Sequence, residues 1–328
     1  MSSACAGQLD SSYDVVSGLS GKAGLRLKQT IGILGAGEMG SAVGAMLRGA
    51  GYRVVTALEG RSPASRALAE GAGLEDLGSV ELLLAECDLF LSILPPAAAF
   101  DFAKQAAAIL RASKREVFYA DCNAVSPETV LAIEALFSKG PARFIDVGIV
   151  GPAPQSRTPS PTRFYVSGAD RKMFLEFDVP EIAGIDMGEP IGRASSIKMC
   201  YAAMNKGTNA LYANLLLAAR RLGVDAELMR EFEASQPEAA KRMAQTIPFL
   251  AAKSERFTGE MAEIASTFDA VGVSGDFYRG AEWLYAVLAR SELASETRAT
   301  RPDQRSLDDA LAAFAQALED GVLSESTE

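Results

Sequence analysis

Residues 30–40 read Thr30-Ile31-Gly32-Ile33-Leu34-Gly35-Ala36-Gly37-Glu38-Met39-Gly40. An apolar run ends at Leu34, three glycines follow in the spacing GxGxxG, and Val43, Met46 and Leu47 then recur at helical spacing. This pattern predicts a strand, a tight turn and a helix. Gly35 permits the turn, Gly37 leaves the backbone open to a diphosphate, and Gly40 lets helix and strand approach closely. The helix N-terminus adds its positive dipole at the same point. Gly35, Ala36, Gly37, Glu38, Met39 and Gly40 are therefore the candidate cofactor-binding turn, against the plainer reading of a glycine-rich connection with no ligand.

The alternation continues outward from this turn. Ile31-Leu34, Val54-Leu58, Leu89-Leu94, Val117-Ala120 and Phe144-Val147 read as buried strands, with Gly40-Arg48, Pro63-Glu70, Ala98-Arg111 and Pro127-Phe137 as helices between them. A doubly wound, mainly parallel Rossmann sheet follows. Pro152, Pro154, Pro159 and Pro161 forbid regular structure in one loop, Arg163-Gly168 reads as a further strand, and Met173-Met187 completes the unit. After Gly192 no strand pattern remains. A long helix runs from Arg193 to about Arg220, followed by helical segments near 226–247, 254–271, 276–292 and 306–320. Met261, Ile264, Ala265 and Phe268 form a stripe that reads as packing, not as a cofactor box. The expected organisation is an N-terminal arm (1–29), taken as flexible, an α/β Rossmann domain (30–192) and an all-α C-terminal domain (193–328) for substrate binding and dimerisation.

Composition narrows the function. A chain of 328 residues exceeds the usual size of one core, and 48% hydrophobic with 23% charged residues is that of a soluble globular protein. The net charge of −10 and the absence of any Lys/Arg-rich run argue against nucleic acid. With no histidine, a Ser-His or Cys-His nucleophile is impossible. Cys5, Cys87, Cys122 and Cys200 lack the paired spacing of a zinc site, so free thiols and no metal are expected. Residues 1–28 lack the basic start and apolar stretch of a signal peptide, so a cytoplasmic location and no membrane contact are expected.

The end of the second strand faces the adenosine ribose in such folds. Glu59 suits the two ribose hydroxyls of NAD, whereas Arg61 and Ser62 suit the 2′-phosphate of NADP; NADP is slightly favoured. Leu94 and Pro95 end another strand at the edge where ligands bind. Asn123, at the same edge, is read either as a ligand to a nicotinamide carboxamide or substrate, or as a cap on the next helix.

The glycine motif, the loop at Leu94-Pro95-Pro96, residues 146–151 (DVGIVG) and the helix containing Lys198 together resemble the β-hydroxyacid dehydrogenase superfamily. Residues 58–62 (LEGRS), 121–127 (DCNAVSP) and 197–207 (IKMCYAAMNKG) resemble its 6-phosphogluconate-dehydrogenase-like branch, which has its own type of C-terminal domain. The resemblance implies hydride transfer between a nicotinamide and a β-hydroxyacid, with Lys198 as general acid/base. It also implies an asparagine four residues after the lysine and a serine in the loop matching Val147-Pro152, where this chain has Ala202 and Val150. Substrate identity is open at that point. At 100° per residue Asn205 and Asn209 fall within about 20° of Lys198, with Tyr201 about 60° away. Lys198, Asn123 and Asn205 are the catalytic candidates, and Tyr201, Lys206 and Asn209 the substrate candidates. Arg157, Arg163 and Arg193 join Lys206 as possible anion clamps.

The expected substrate is a small hydroxy- or ketoacid. Imine reduction on a similar fold, or dinucleotide binding without catalysis, are the alternatives. The superfamily further implies a homodimer built on the helical domain.

Overall fold

The computed structural model describes residues 29–156, 160–297, 300–302 and 304–325, with side chains up to residue 320. Cys5, Arg157 and the arm expected over 1–29, apart from Gln29, lie outside the described residues.

The apolar runs become strands because both of their faces are covered. Ile31, Ile33, Ile145 and Val147 pack with Val43 and Leu47 on one side, while Val55, Phe90 and Tyr119 pack with Leu83, Phe102 and Leu110 on the other. The elements run β1 (Thr30–Leu34), α1 (Glu38–Gly49), β2 (Arg53–Thr56), α2 (Pro63–Gly71), β3 (Glu75–Asp76), α3 (Val80–Glu86) and β4 (Leu89–Ser92). They continue as α4 (Pro96–Ser113), β5 (Phe118–Asp121), α5 (Pro127–Phe137), β6 (Arg143–Val150), β7 (Thr162–Ser167), α6 (Lys172–Leu175) and β8 (Ile182–Asp186). The sheet order is β3-β2-β1-β4-β5-β6-β7-β8, parallel except where β7 returns antiparallel to β6. The doubly wound, mainly parallel sheet expected from the sequence is present.

Helices follow: α7 (Arg193–Leu222), α8 (Asp225–Ser235), α9 (Pro237–Thr246), α10 (Ser254–Asp269), α11 (Asp276–Leu288) and α12 (Leu307–Glu325). They enclose a separate core of Met199, Leu216, Met243, Ile264, Leu284 and Phe314. Among the described residues no helix is long and apolar enough to cross a membrane.

Four elements depart from expectation. β3 has two exposed residues and so no hydrophobic pattern. α3 is one short helix capped by Ser79, whose hydroxyl accepts from Leu82 N. β8 is a half-buried edge strand broken in pattern by Gly184. The single helix expected over 226–247 is two, because Pro237 has no amide to donate and pushes Gln236 to φ −141°, ψ 60°.

Candidate active site

Backbone geometry builds the first part of the site. Gly35 sits at φ +102°, and a Cβ there would lie 2.0 Å from the carbonyl oxygen of Ile93. A Cβ on Gly40 would lie 2.2 Å from the carbonyl oxygen of Gly35. Gly37 differs, since a Cβ there would meet nothing within 4 Å. It is also the N-cap of α1 and offers no side-chain acceptor to the amides of the first turn. A helix N-terminus whose N-cap residue carries no side chain, with open space at that bare glycine, fits a diphosphate.

At the end of β2, Asp76 accepts from the amides of Leu58 (3.0 Å) and Gly78 (2.9 Å) and so fixes the turn. Glu59 is exposed and Arg61 half-buried. Ser62 is the N-cap of α2, its hydroxyl accepting from Ser65 N. One turn further, Arg66 donates to the carbonyls of Leu58 (2.5 Å) and Arg61 (3.2 Å). Sequence reasoning missed Arg66, although a cation one turn past a Ser-Pro helix start was visible.

A chain of contacts leads from the glycine turn to Lys198. Gly35 closes on Ile93, and the next amide, that of Leu94, donates to Asn123 Oδ1 at 2.6 Å. Asn123 Nδ2 donates in turn to Asp121 (2.9 Å) and Ser92 (3.1 Å). Its amide is thus engaged within the protein, bracing the Leu94-Pro95 loop. The cap of α5 is Ser126, not Asn123, because the helix starts at Pro127 and the Ser126 hydroxyl reaches Thr129 N. Beside Asn123, the carbonyl of Cys122 accepts a 3.1 Å hydrogen bond from Lys198 Nζ.

Asp146 fixes the helix that carries the lysine. This fully buried carboxylate accepts from Gly192 N (2.9 Å), Ser195 N (3.2 Å), Ser195 Oγ (2.7 Å) and Ser167 Oγ (2.9 Å). A carboxylate at the start of a helix satisfies its first amides and matches its dipole. A Cβ on Gly148 would lie 2.3 Å from the Ala194 carbonyl oxygen, so only glycine lets α7 sit this close to β6.

From the helical side, α10 supplies Glu260, which sequence reasoning also missed. Its buried carboxylate pairs with Lys206 and lies 3.4 Å from Arg256 Nε. A glutamate between Phe257 and Ile264 on an otherwise apolar face was the signal that could have found it. Glu263 joins the two halves, accepting from Ser126 N (2.7 Å) and Thr129 Oγ1 (3.0 Å). The structure therefore gathers Asn123, Lys198 and Lys206. Asn205 is exposed and donates to the Tyr201 carbonyl on its own helix, Tyr201 is exposed, and Asn209 is half-buried. Arg163 is half-buried and Arg193 exposed.

Burial depresses the Lys198 ammonium below its ordinary range, opposed first by the charge of Glu260. Burial likewise pushes the Asp121 carboxyl up to about 7 and the Cys122 thiol well above its usual value. Cys87 is also buried and free, and Cys200 exposed and free. Among the described residues no cluster of metal-ligating side chains forms. A concavity of about 1010 Å³ opens at the opposite edge beside Glu116, Arg143 and Asp170 and includes none of these residues. Chemistry, not cavity size, locates the site.

Residues 30–174 match the family described as the NAD binding domain of 6-phosphogluconate dehydrogenase, and residues 219–288 match a domain of unknown function, DUF1932. An uncharacterised 28.5 kDa protein from the 7S RNA 5′ region of Methanothermus fervidus is 26% identical over 210 residues, 63% of this chain and 77% of its own. The 3-hydroxyisobutyrate dehydrogenase of Mycobacterium tuberculosis, solved with L-serine, has the same fold: TM-score 0.61 at 17% identity, covering 88% of this chain and 99% of its own. A conserved protein of unknown function, described as structurally similar to 3-hydroxyacid dehydrogenases, gives 0.53 at 24% identity over 89% and 98%. The chain thus joins an NAD-binding domain of the 6-phosphogluconate dehydrogenase type to a DUF1932 domain, in the fold of the 3-hydroxyacid dehydrogenases.

Proposed function

We propose that the protein transfers hydride between a nicotinamide and a small β-hydroxyacid or the corresponding ketoacid, with Lys198 moving the proton of the reacting oxygen. One observation carries this reading: Lys198 is a half-buried amine with a depressed pKa, held on the Cys122 carbonyl and linked through Asn123 and Leu94 to the glycine turn. A general acid/base needs that poise near neutral pH.

The amides at the start of α1 would hold the diphosphate and the turn at residues 59–62 the adenosine ribose, while the nicotinamide, when bound, supplies or accepts the hydride. Arg61 and Ser62, with Arg66 bracing the carbonyls around them, support NADP over NAD. Ala202 and Val150 leave the substrate contacts of the superfamily absent, so the acid is defined by class only. Gly192 is the proposed border between the two domains. A homodimer is part of the same reading: Tyr201, Met204 and Leu211 on α7 and Phe277 and Trp283 on α11 are exposed apolar side chains, and light scattering tests it.

The test is turnover. Calorimetry with NADPH and NADH gives the coenzyme. Oxidation of the bound one is then followed across 3-ketoacids and cyclic imines, and its reduction across 3-hydroxyacids. Lys198→Met is expected to lose roughly a thousandfold in kcat while still binding coenzyme. Unchanged turnover in that variant removes Lys198 from the mechanism, and preference for imines replaces the ketoacid reading.

A further inference from the structure

Glu260 occupies a place where composition forbids a lone carboxylate. Its side chain is 7% exposed, on the face of α10 that also buries Phe257 and Ile264. It is tolerated because cations meet it from two helices. Lys206 pairs with it from α7, and Arg256 approaches from one turn earlier on α10. Both cations also lie over the Phe257 ring, at 5.2 and 5.3 Å from its centroid. Tyr285 on α11 donates to the Lys206 carbonyl at 2.8 Å, which fixes the backbone beneath the pair. The negative charge is therefore immobile.

Geometry brings this charge to Lys198: Glu263, one turn along α10 from Glu260, accepts from Ser126 N, four residues past the Cys122 carbonyl that holds Lys198 Nζ. Asp121 ends β5 and Cys122 follows it, Lys206 shares the helix of Lys198, and Glu260 faces from α10; Asp146 lies behind the start of α7, and Arg256 and Tyr285 lie behind Glu260. Burial and Lys206 both favour the neutral amine, and Glu260 is the foremost group that favours the ammonium. We propose that Glu260 is a positioning residue of the reaction, a fixed counter-charge that works against burial and Lys206 to keep Lys198 in the protonated form that reduces a carbonyl.

The inference rests on Lys198 as the proton carrier. In reduction the carbonyl carbon gains the hydride, which oxidises the reduced nicotinamide, and the carbonyl oxygen takes a proton from Lys198 Nζ. The electron pair of the broken N–H bond stays on nitrogen. A lysine kept as ammonium favours this direction over oxidation.

The tuning is measured without substrate. Competitive acetylation of the folded protein with acetic anhydride across pH, read by mass spectrometry on the peptide containing Lys198, gives the midpoint at which that amine loses its proton. In Glu260→Gln the midpoint is expected to fall by about one pH unit. In Lys206→Met, which removes a like charge and leaves Glu260 less compensated, it is expected to rise. A folded Glu260→Gln protein, checked by circular dichroism, with an unmoved midpoint overturns the proposal. Should that variant not fold, Lys206→Met is compared with the double variant Lys206→Met/Glu260→Met, which leaves no unpaired charge: a lower midpoint in the double variant supports the proposal and equal midpoints overturn it. Turnover of Lys198→Met tests the lysine's role separately, so failure of that role and failure of the tuning are distinguishable.

Discussion

The turn at Gly35–Gly40 and the group Lys206–Glu260–Arg256 lie in different halves of the molecule and rest on different physics. In the turn, side chains are absent where backbone must approach backbone, and the chemistry offered is that of amide hydrogens. In the helices, bulky and charged side chains fill the space, and the chemistry offered is a set of fixed charges. A site divided this way should fail in two distinguishable manners. Damage to the turn should be steric and all-or-none. Damage to the charge group should be graded and visible as a change in proton affinity.

The sharpest contrast lies within the turn itself. Gly35→Ala forces a side chain into φ +102° and against a backbone oxygen at 2.0 Å. The expected loss is more than about 4 kcal/mol of folding stability, seen as a collapse of the urea midpoint. Gly37→Ala adds a methyl that touches no protein atom. Its stability is expected to change by less than about 1 kcal/mol, while calorimetric affinity for NADPH falls, because the methyl enters the space left for the diphosphate. Equal destabilisation by both, or normal coenzyme binding by Gly37→Ala, breaks the division of roles between the glycines.

Next in size is Asp146→Ala. Its carboxylate answers two amides and two hydroxyls in a fully buried position. Removal leaves the Gly192 and Ser195 amides without their acceptor, at a cost of about 3 kcal/mol. The denaturant midpoint should fall accordingly, and the Ser195 amide should lose its protection from hydrogen exchange. Full protection in the variant would show that α7 is seated by the Gly148 contact alone.

The two halves also differed in how far they could be read in advance. Strand, turn and helix around Gly35 are encoded within eleven consecutive residues, each acting on its neighbours, so local pattern sufficed. Lys198 was located by resemblance and not by periodicity. Its helix was plain from residue 193 onward, but the same geometry also selected Asn205 and Asn209, and a helical wheel does not say which face meets the sheet. Glu260 meets Lys206 across 54 positions of sequence, and only the fold brings them together. Asn123 was visible as a polar residue at the carboxyl edge, yet its partners Ser92 and Leu94 come from the end of β4 and the loop after it. β3 and β8 carried too little buried surface to announce themselves.

The smallest expected effect separates charge from hydrogen bonding at the seam between the halves. Glu263 is half-buried and accepts from Ser126 N and Thr129 Oγ1 at the start of α5, next to the Asn123 loop. Glu263→Ala removes both acceptors and should cost about 1 kcal/mol, seen as a lower thermal midpoint. Glu263→Gln retains a carbonyl oxygen that accepts from the same two donors and forfeits only the charge at the N-terminus of α5, which is worth a few tenths of a kcal/mol in a half-exposed position. It should therefore recover most of the loss. Glu260→Gln should not recover function in the same way, because there the charge itself acts on Lys198. If glutamine fails at 263 as badly as alanine, the seam is electrostatic as well, and the contrast between a backbone half and a charge half must be redrawn to include α5.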